Sequence, residues 1–254
     1  MLQLPLDQLV LVVAQATLLV ILLVRLWLAG LHRTYPFFFS YLLADLLQVL
    51  ILSALPFKSY AYRYFWVGSE AVIACCYGLI LVELYRVLLR DLPGIASISR
   101  RYITVTIAVA TAGSLLLLRL EETPRNYVST FLVIERAIIF SMVIFILLVS
   151  AFLAYYPIPL NRNVVVYSIG YSVYFLTKAT ALFVRTLGHY VMPQISTVLL
   201  VVSSACLLFW AIALNRQGEL HTVVIGHKWK REDEARLLSQ LKAINSTLLS
   251  AGKR

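Results

Sequence analysis

Charge is scarce in this chain: Asp, Glu, Lys and Arg make up only 13% of its 254 residues, where about 25% is usual for a soluble domain. Histidine is scarcer still. His32, His189, His221 and His227 all fall at the edges of apolar runs or outside them, so none is placed to ligate an intramembrane metal or to activate a buried serine. Cys75, Cys76 and Cys206 are the only cysteines and all sit in apolar segments, and adjacent cysteines seldom bridge one another, so no disulfide framework is implied. H-E-x-x-H, G-x-S-x-G, C-x-x-C and the P-loop pattern are absent as well, which leaves an enzyme without its usual signatures and calls for no cofactor.

What is abundant is apolar. A hydrophobic fraction of 61% and a mean hydropathy of +0.86 mark a polytopic membrane protein. Seven runs are long enough to cross a hydrocarbon core, at 9–29, 36–56, 62–89, 102–119, 127–155, 163–186 and 191–214. Pro and Gly punctuate several of the connections, as at Pro56, Pro93-Gly94, Pro124 and Pro157. The first run lacks a basic leader and a small-residue cleavage site, so it is expected to be a retained helix.

The net charge of +10 sits in loops and the tail, a pattern of membrane topology and not of nucleic-acid binding. With the N-terminus outside, about fifteen Lys and Arg face the cytoplasm against about five outside. The expected fold is therefore all-α, seven transmembrane helices, N-out and C-in. The seven-helix domain takes residues 1–216, a linker 217–228, and a cytoplasmic amphipathic helix and tail 229–254. In that last helix Leu237, Leu241, Ile244 and Leu248 form a stripe flanked by Lys230, Arg231, Arg236 and Lys242. Such a helix lies on the anionic inner leaflet or docks on a cytoplasmic protein partner.

The polar exceptions inside the apolar runs are the informative residues. Tyr167, Tyr171, Tyr174, Lys178 and Arg185 fall on one face of the sixth run. An unpaired ammonium there costs at least ~2.5–3.5 kcal/mol to insert, so Lys178 needs a partner, a cavity or a task. Counted from the outer end of each run, Lys178, Glu70, Glu135 and Arg136 lie about eight residues down, and Asp45 about eleven with Gln48 a turn above it. That places them in a slab roughly 12–16 Å below the outer surface, with Tyr41 and Tyr77 available to complete it.

Two roles are open to this layer. Glu70 or Glu135 pairs with Lys178, and Asp45 with Arg136, solely to fix helix register. Or Lys178, Arg136, Glu70, Glu135, Asp45, Gln48, Tyr77, Tyr171 and Tyr174 line a pocket for a small anionic or zwitterionic ligand. The functional classes that follow are a sensor or receptor-like module, a proton-coupled transporter, and a structural membrane protein without a ligand. A transporter should show broken helices or repeats, and Gly170 is the only hint of a break. A retinal protein would carry its lysine in the seventh run, which has none. Glu83 and Arg86, spaced i, i+3 at the inner end of the third run, are expected to form an interfacial ion pair.

Two stretches, Arg33, Tyr35, Pro36, Phe38, Phe39, Tyr41 and Leu42, then Glu83, Leu84, Tyr85, Leu89, Arg90, Pro93, Gly94 and Ile95, resemble a pattern in uncharacterised bacterial seven-helix integral membrane proteins. The resemblance implies the same architecture and a bacterial inner-membrane location, and it carries no activity.

Overall fold

The structure, a computed structural model, describes residues 6–56, 59–88, 134–136, 138–147, 151, 159–187, 192–224 and 231–251. The run expected at 102–119, most of that at 127–155, Trp229 and Lys230 lie outside the described residues.

The first run is helix α1, Leu6–Leu28. It stops where Gly30 takes a left-handed conformation, φ 72°, a geometry that costs a side chain energy and glycine nothing. A 3-10 turn, Leu31–Arg33, then reverses the chain into α2, Pro36–Ala54. Proline at the first position of α2 suits a turn whose N–H groups have no helical partner. Helix α3, Tyr60–Leu88, follows, opened by Ser59, whose hydroxyl accepts from the Tyr62 N–H at 3.1 Å. Residues 138–147, with 134–136 before them, are helical. Helices α4, Arg162–Leu187, and α5, Met192–Ala213, come next, and α6, Arg231–Ala251, ends the described chain.

Packing runs in a closed ring: α2 lies on α3 and α1, α1 on α5, α5 on α4, and α4 on α3. Four helices are long and apolar enough to cross a membrane, Leu9–Leu28, Pro36–Ala54, Tyr60–Leu88 and Ile195–Ala213. Their outward faces carry Val13, Val24, Leu47, Leu50, Val201 and Ile212, all exposed, while Glu70, Glu83, Glu135 and Lys178 are buried within. Apolar outside and charged inside is the arrangement of a membrane-embedded protein, because lipid and not water faces the exterior. Helix α4 is as long as its neighbours but carries the polar stripe that keeps it from matching their apolarity.

Helix α4 packs on α5 by close approach. A methyl at Gly170 would enter the Trp210 indole, and Trp210 is fully buried there between Phe38 and Tyr171. At the same end of α5, Arg25 of α1 donates to the Ile212 carbonyl at 3.3 Å, supplying a cation where helix carbonyls lack partners.

The fold is not purely helical. Strands β1, Pro159–Asn161, and β2, Thr222–Val224, pair antiparallel with Leu160 opposite Val223. The described chain is mostly helical, as the all-α expectation has it, and this short ribbon is a local addition that joins the start of α4 to the chain leaving α5. The expected 217–228 linker is thus partly structured: a 3-10 turn, Arg216–Glu219, precedes β2. Gly218 is obligatory in that turn, since a methyl there would strike the Asn163 side-chain oxygen. In α6, Leu241 is buried as part of the common core, while Ile244 is exposed.

Candidate functional site

Lys178 stands at the centre of a buried polar group. Its Nζ lies 2.5 Å from Glu70 Oε1 and 2.8 Å from Glu135 Oε1. It also donates to the Tyr77 hydroxyl at 3.2 Å and sits 4.9 Å from the centre of that ring. An ammonium has three N–H donors, so all three are committed. Lys178, Glu70 and Glu135 are only 6%, 9% and 3% exposed. At that depth the attraction is strong, and so is the cost of losing any member.

The shell around this triplet is hydrogen-bonded in turn. Gln48 donates to the second oxygen of Glu70 at 3.1 Å and to Ser69 at 3.0 Å. The Tyr77 and Tyr174 hydroxyls are 2.7 Å apart. Asp45 faces Gln15, Glu70 and Lys178.

These side chains line a cavity of about 400 Å³. Asp45, Gln48, Glu70, Tyr77, Glu135, Tyr174 and Lys178 all border it, with Gln15, Tyr62, Trp66, Ser196, Thr197 and Ser203 completing the wall. Seven of the nine sequence-predicted residues are therefore brought together. The other two are not. Tyr171 lies deeper, fully buried against Phe38, Phe175 and Trp210, and the half-buried Arg136 is not among the described lining residues. The Arg185 side chain lies outside what is described.

Sequence reasoning missed Gln15, Trp66 and Ser203. Gln15 had a signal: it is the one strongly polar residue inside an apolar run from Leu9 to Val24, and it is 8% exposed. Trp66 had none, since a tryptophan near a membrane edge is ordinarily an interfacial anchor.

A second polar knot lies toward the ribbon. Glu83 and exposed Arg86 are not joined by any of the described ion pairs, and Arg86 attracts the carboxylate only at longer range. The Glu83 carboxylate accepts from the Phe37 and Phe38 backbone N–H groups at 2.6 and 3.3 Å and from the Tyr167 hydroxyl at 3.1 Å. It thereby caps α2 from a neighbouring helix, supplying the acid that the first turn of α2 lacks. Nearby, Glu219 accepts from Tyr35 at 2.7 Å, Asn163 at 2.9 Å and Asn161 at 3.2 Å. Asn163 is fully buried and also donates to the Asn215 carbonyl at 2.7 Å. Burial and the Glu219 bond hold the Tyr35 phenol well above its usual range.

Aromatic rings fill the space between the two groups. Tyr35 packs on Tyr167, Tyr167 on Tyr171, Tyr171 on Phe175, and Phe175 on Tyr77. Within this column the Tyr171 hydroxyl and the Trp210 indole nitrogen are buried without a hydrogen-bond partner.

No protein-family model, curated protein or solved structure matches the chain. Its function is therefore argued from these residues. Among the described residues no group of histidine, cysteine and carboxylate side chains is placed to hold a metal ion. The cavity offers charge, hydrogen bonds and aromatic surface, the means of recognition.

Proposed function

We propose that the chain is a seven-span, N-out/C-in protein of the bacterial inner membrane that binds a small polar ligand in the outer half of its bundle. It acts as a sensor or receptor-like module, and the bound state is passed inward to a cytoplasmic protein partner through the C-terminal helix. The observation that carries this reading is the cavity itself. A layer that only fixed register would close around its ion pairs, whereas here a paired lysine borders about 400 Å³ of space, within the size range of ligand sites. The ring column from Tyr77 to Tyr35 supports communication with the inner knot, where α2, α4 and the ribbon meet.

A proton-coupled transporter is the second reading, favoured by three carboxylates around one lysine in a membrane cavity. Against it, the backbone of α1 to α5 runs unbroken among the described residues, unlike the interrupted helices of most transporter sites.

The test is a screen of small polar metabolites by thermal unfolding, on the full chain and on Ser203→Trp, which fills the cavity. The proposal expects a stabilising ligand for the parent that has no effect on the filled variant. Accumulation of that ligand in proteoliposomes, driven by a pH gradient, would select the transporter. A screen without any stabilising ligand would leave a structural membrane protein.

A further inference from the structure

The cavity wall has a charge sign that the triplet alone conceals. Asp45, Glu70 and Glu135 contribute three carboxylates, and Lys178 is the sole cation among the described lining residues. Acidic side chains thus outnumber the one basic side chain among the described lining residues. Lys178 has no N–H to spare, because Glu70, Glu135 and Tyr77 take all three. An incoming carboxylate or phosphate would have to displace a bonded glutamate and would meet Asp45 besides. With its one cation already engaged, the wall offers an anion no free charged donor.

For a cation the wall is suited. Asp45, beside the 8% exposed Gln15, supplies the counter-charge. Trp66, Tyr62, Tyr77 and Tyr174 contribute aromatic side chains to the lining, and aromatic rings attract ammonium groups, more strongly away from water. The protein already uses this interaction once, with the Lys178 ammonium 4.9 Å from the Tyr77 ring centre.

We infer that the site selects a ligand bearing an organic ammonium group, seated between Asp45 and the aromatic wall, with the Lys178 triplet as its fixed floor. This inference rests on the ligand-binding reading above and narrows it to one chemical class. A zwitterion remains compatible when its ammonium, and not its carboxylate, is the buried end.

The experiment uses the full chain in lipid nanodiscs and follows thermal unfolding with propylammonium, tetramethylammonium, propionate and 1-propanol at equal concentration, ionic strength held with NaCl. Either ammonium probe should raise the midpoint by about 3 °C or more near saturation, and propionate and propanol should not. Asp45→Asn should abolish that rise. If Asp45→Asn fails to fold, Trp66→Leu takes its place and should at least halve the shift. Stabilisation by propionate alone would overturn the ammonium assignment and leave a pocket standing. An ammonium shift unchanged in Asp45→Asn, or in Trp66→Leu where that variant stands in, would overturn the proposed seat. No shift with any probe would overturn the ammonium class, and the metabolite screen on the parent and Ser203→Trp then decides the pocket separately.

Discussion

An ammonium buried in a membrane protein is tolerable only if its acceptors arrive with it, and at Lys178 they come from two other helical segments. Lys178→Met should therefore lower stability by about 3–5 kcal/mol, because it strands Glu70 and Glu135 as buried charges. Adding Glu70→Gln and Glu135→Gln to that variant should recover most of the loss, as read from thermal unfolding in detergent. The need for a partner was legible from sequence, since one lysine in an apolar run permits few alternatives. That both glutamates serve it was not legible, because depth along a helix gives height and says nothing of which faces meet. Tyr35 offers a pH test. Its folded phenol is held above the unfolded value near 10, so its contribution is fully present below pH 10 and falls as pH rises toward the folded value. Tyr35→Phe should remove up to about 1.4 kcal/mol per pH unit from the alkaline slope above pH 10, measured by comparing unfolding of the two proteins at pH 9 and 11.

Helices depend on one another for their ends. Helix α2 begins without an acidic residue in its first turn and borrows Glu83 of α3. Glu83→Ala should cost about 1–2 kcal/mol and raise amide hydrogen exchange at Phe37 and Phe38 more than elsewhere in α2, whereas Arg86→Ala should leave those amides unchanged. The sequence suggested an Arg86 partnership because i, i+3 neighbours are the pairs a single helix reveals; a cap provided across helices has no spacing to read. The ribbon was hidden for a similar reason. Pro159–Asn161 and Thr222–Val224 are three residues each, too short for alternation to register, and their partners are far apart in the chain, Leu160 opposite Val223. The ends of α1, α2, α3, α4 and α5, by contrast, fall within a few residues of the apolar runs, because hydrocarbon thickness sets their length.

Over the whole molecule, the inversion of polarity is what composition announced and the ring of helices displays. Its orientation is open to direct measurement. A fluorescent protein fused after Arg254 should mature and fluoresce in a bacterial host, while alkaline phosphatase at the same position should stay inactive, as the excess of Lys and Arg on one side requires. The opposite pair of results would invert the molecule and put the ribbon on the outer side. A pocket around Lys178 was one of two readings of the sequence, but its outline was not legible: its wall draws on α1, α2, α3, α4, α5 and the segment carrying Glu135, and no single stretch contains it.

The contact of Gly170 with Trp210 and the clasp of β1 on β2 together make α4 and α5 a hairpin fastened at one end and interlocked along its length. Helix α4 is less apolar than the four helices that match a membrane span, and its Lys178 finds its acceptors on other segments. A chain truncated just beyond Leu187 should therefore lack what α5 and β2 supply to α4 and be degraded faster in cells than one that runs past Val224, as a pulse-chase comparison would show.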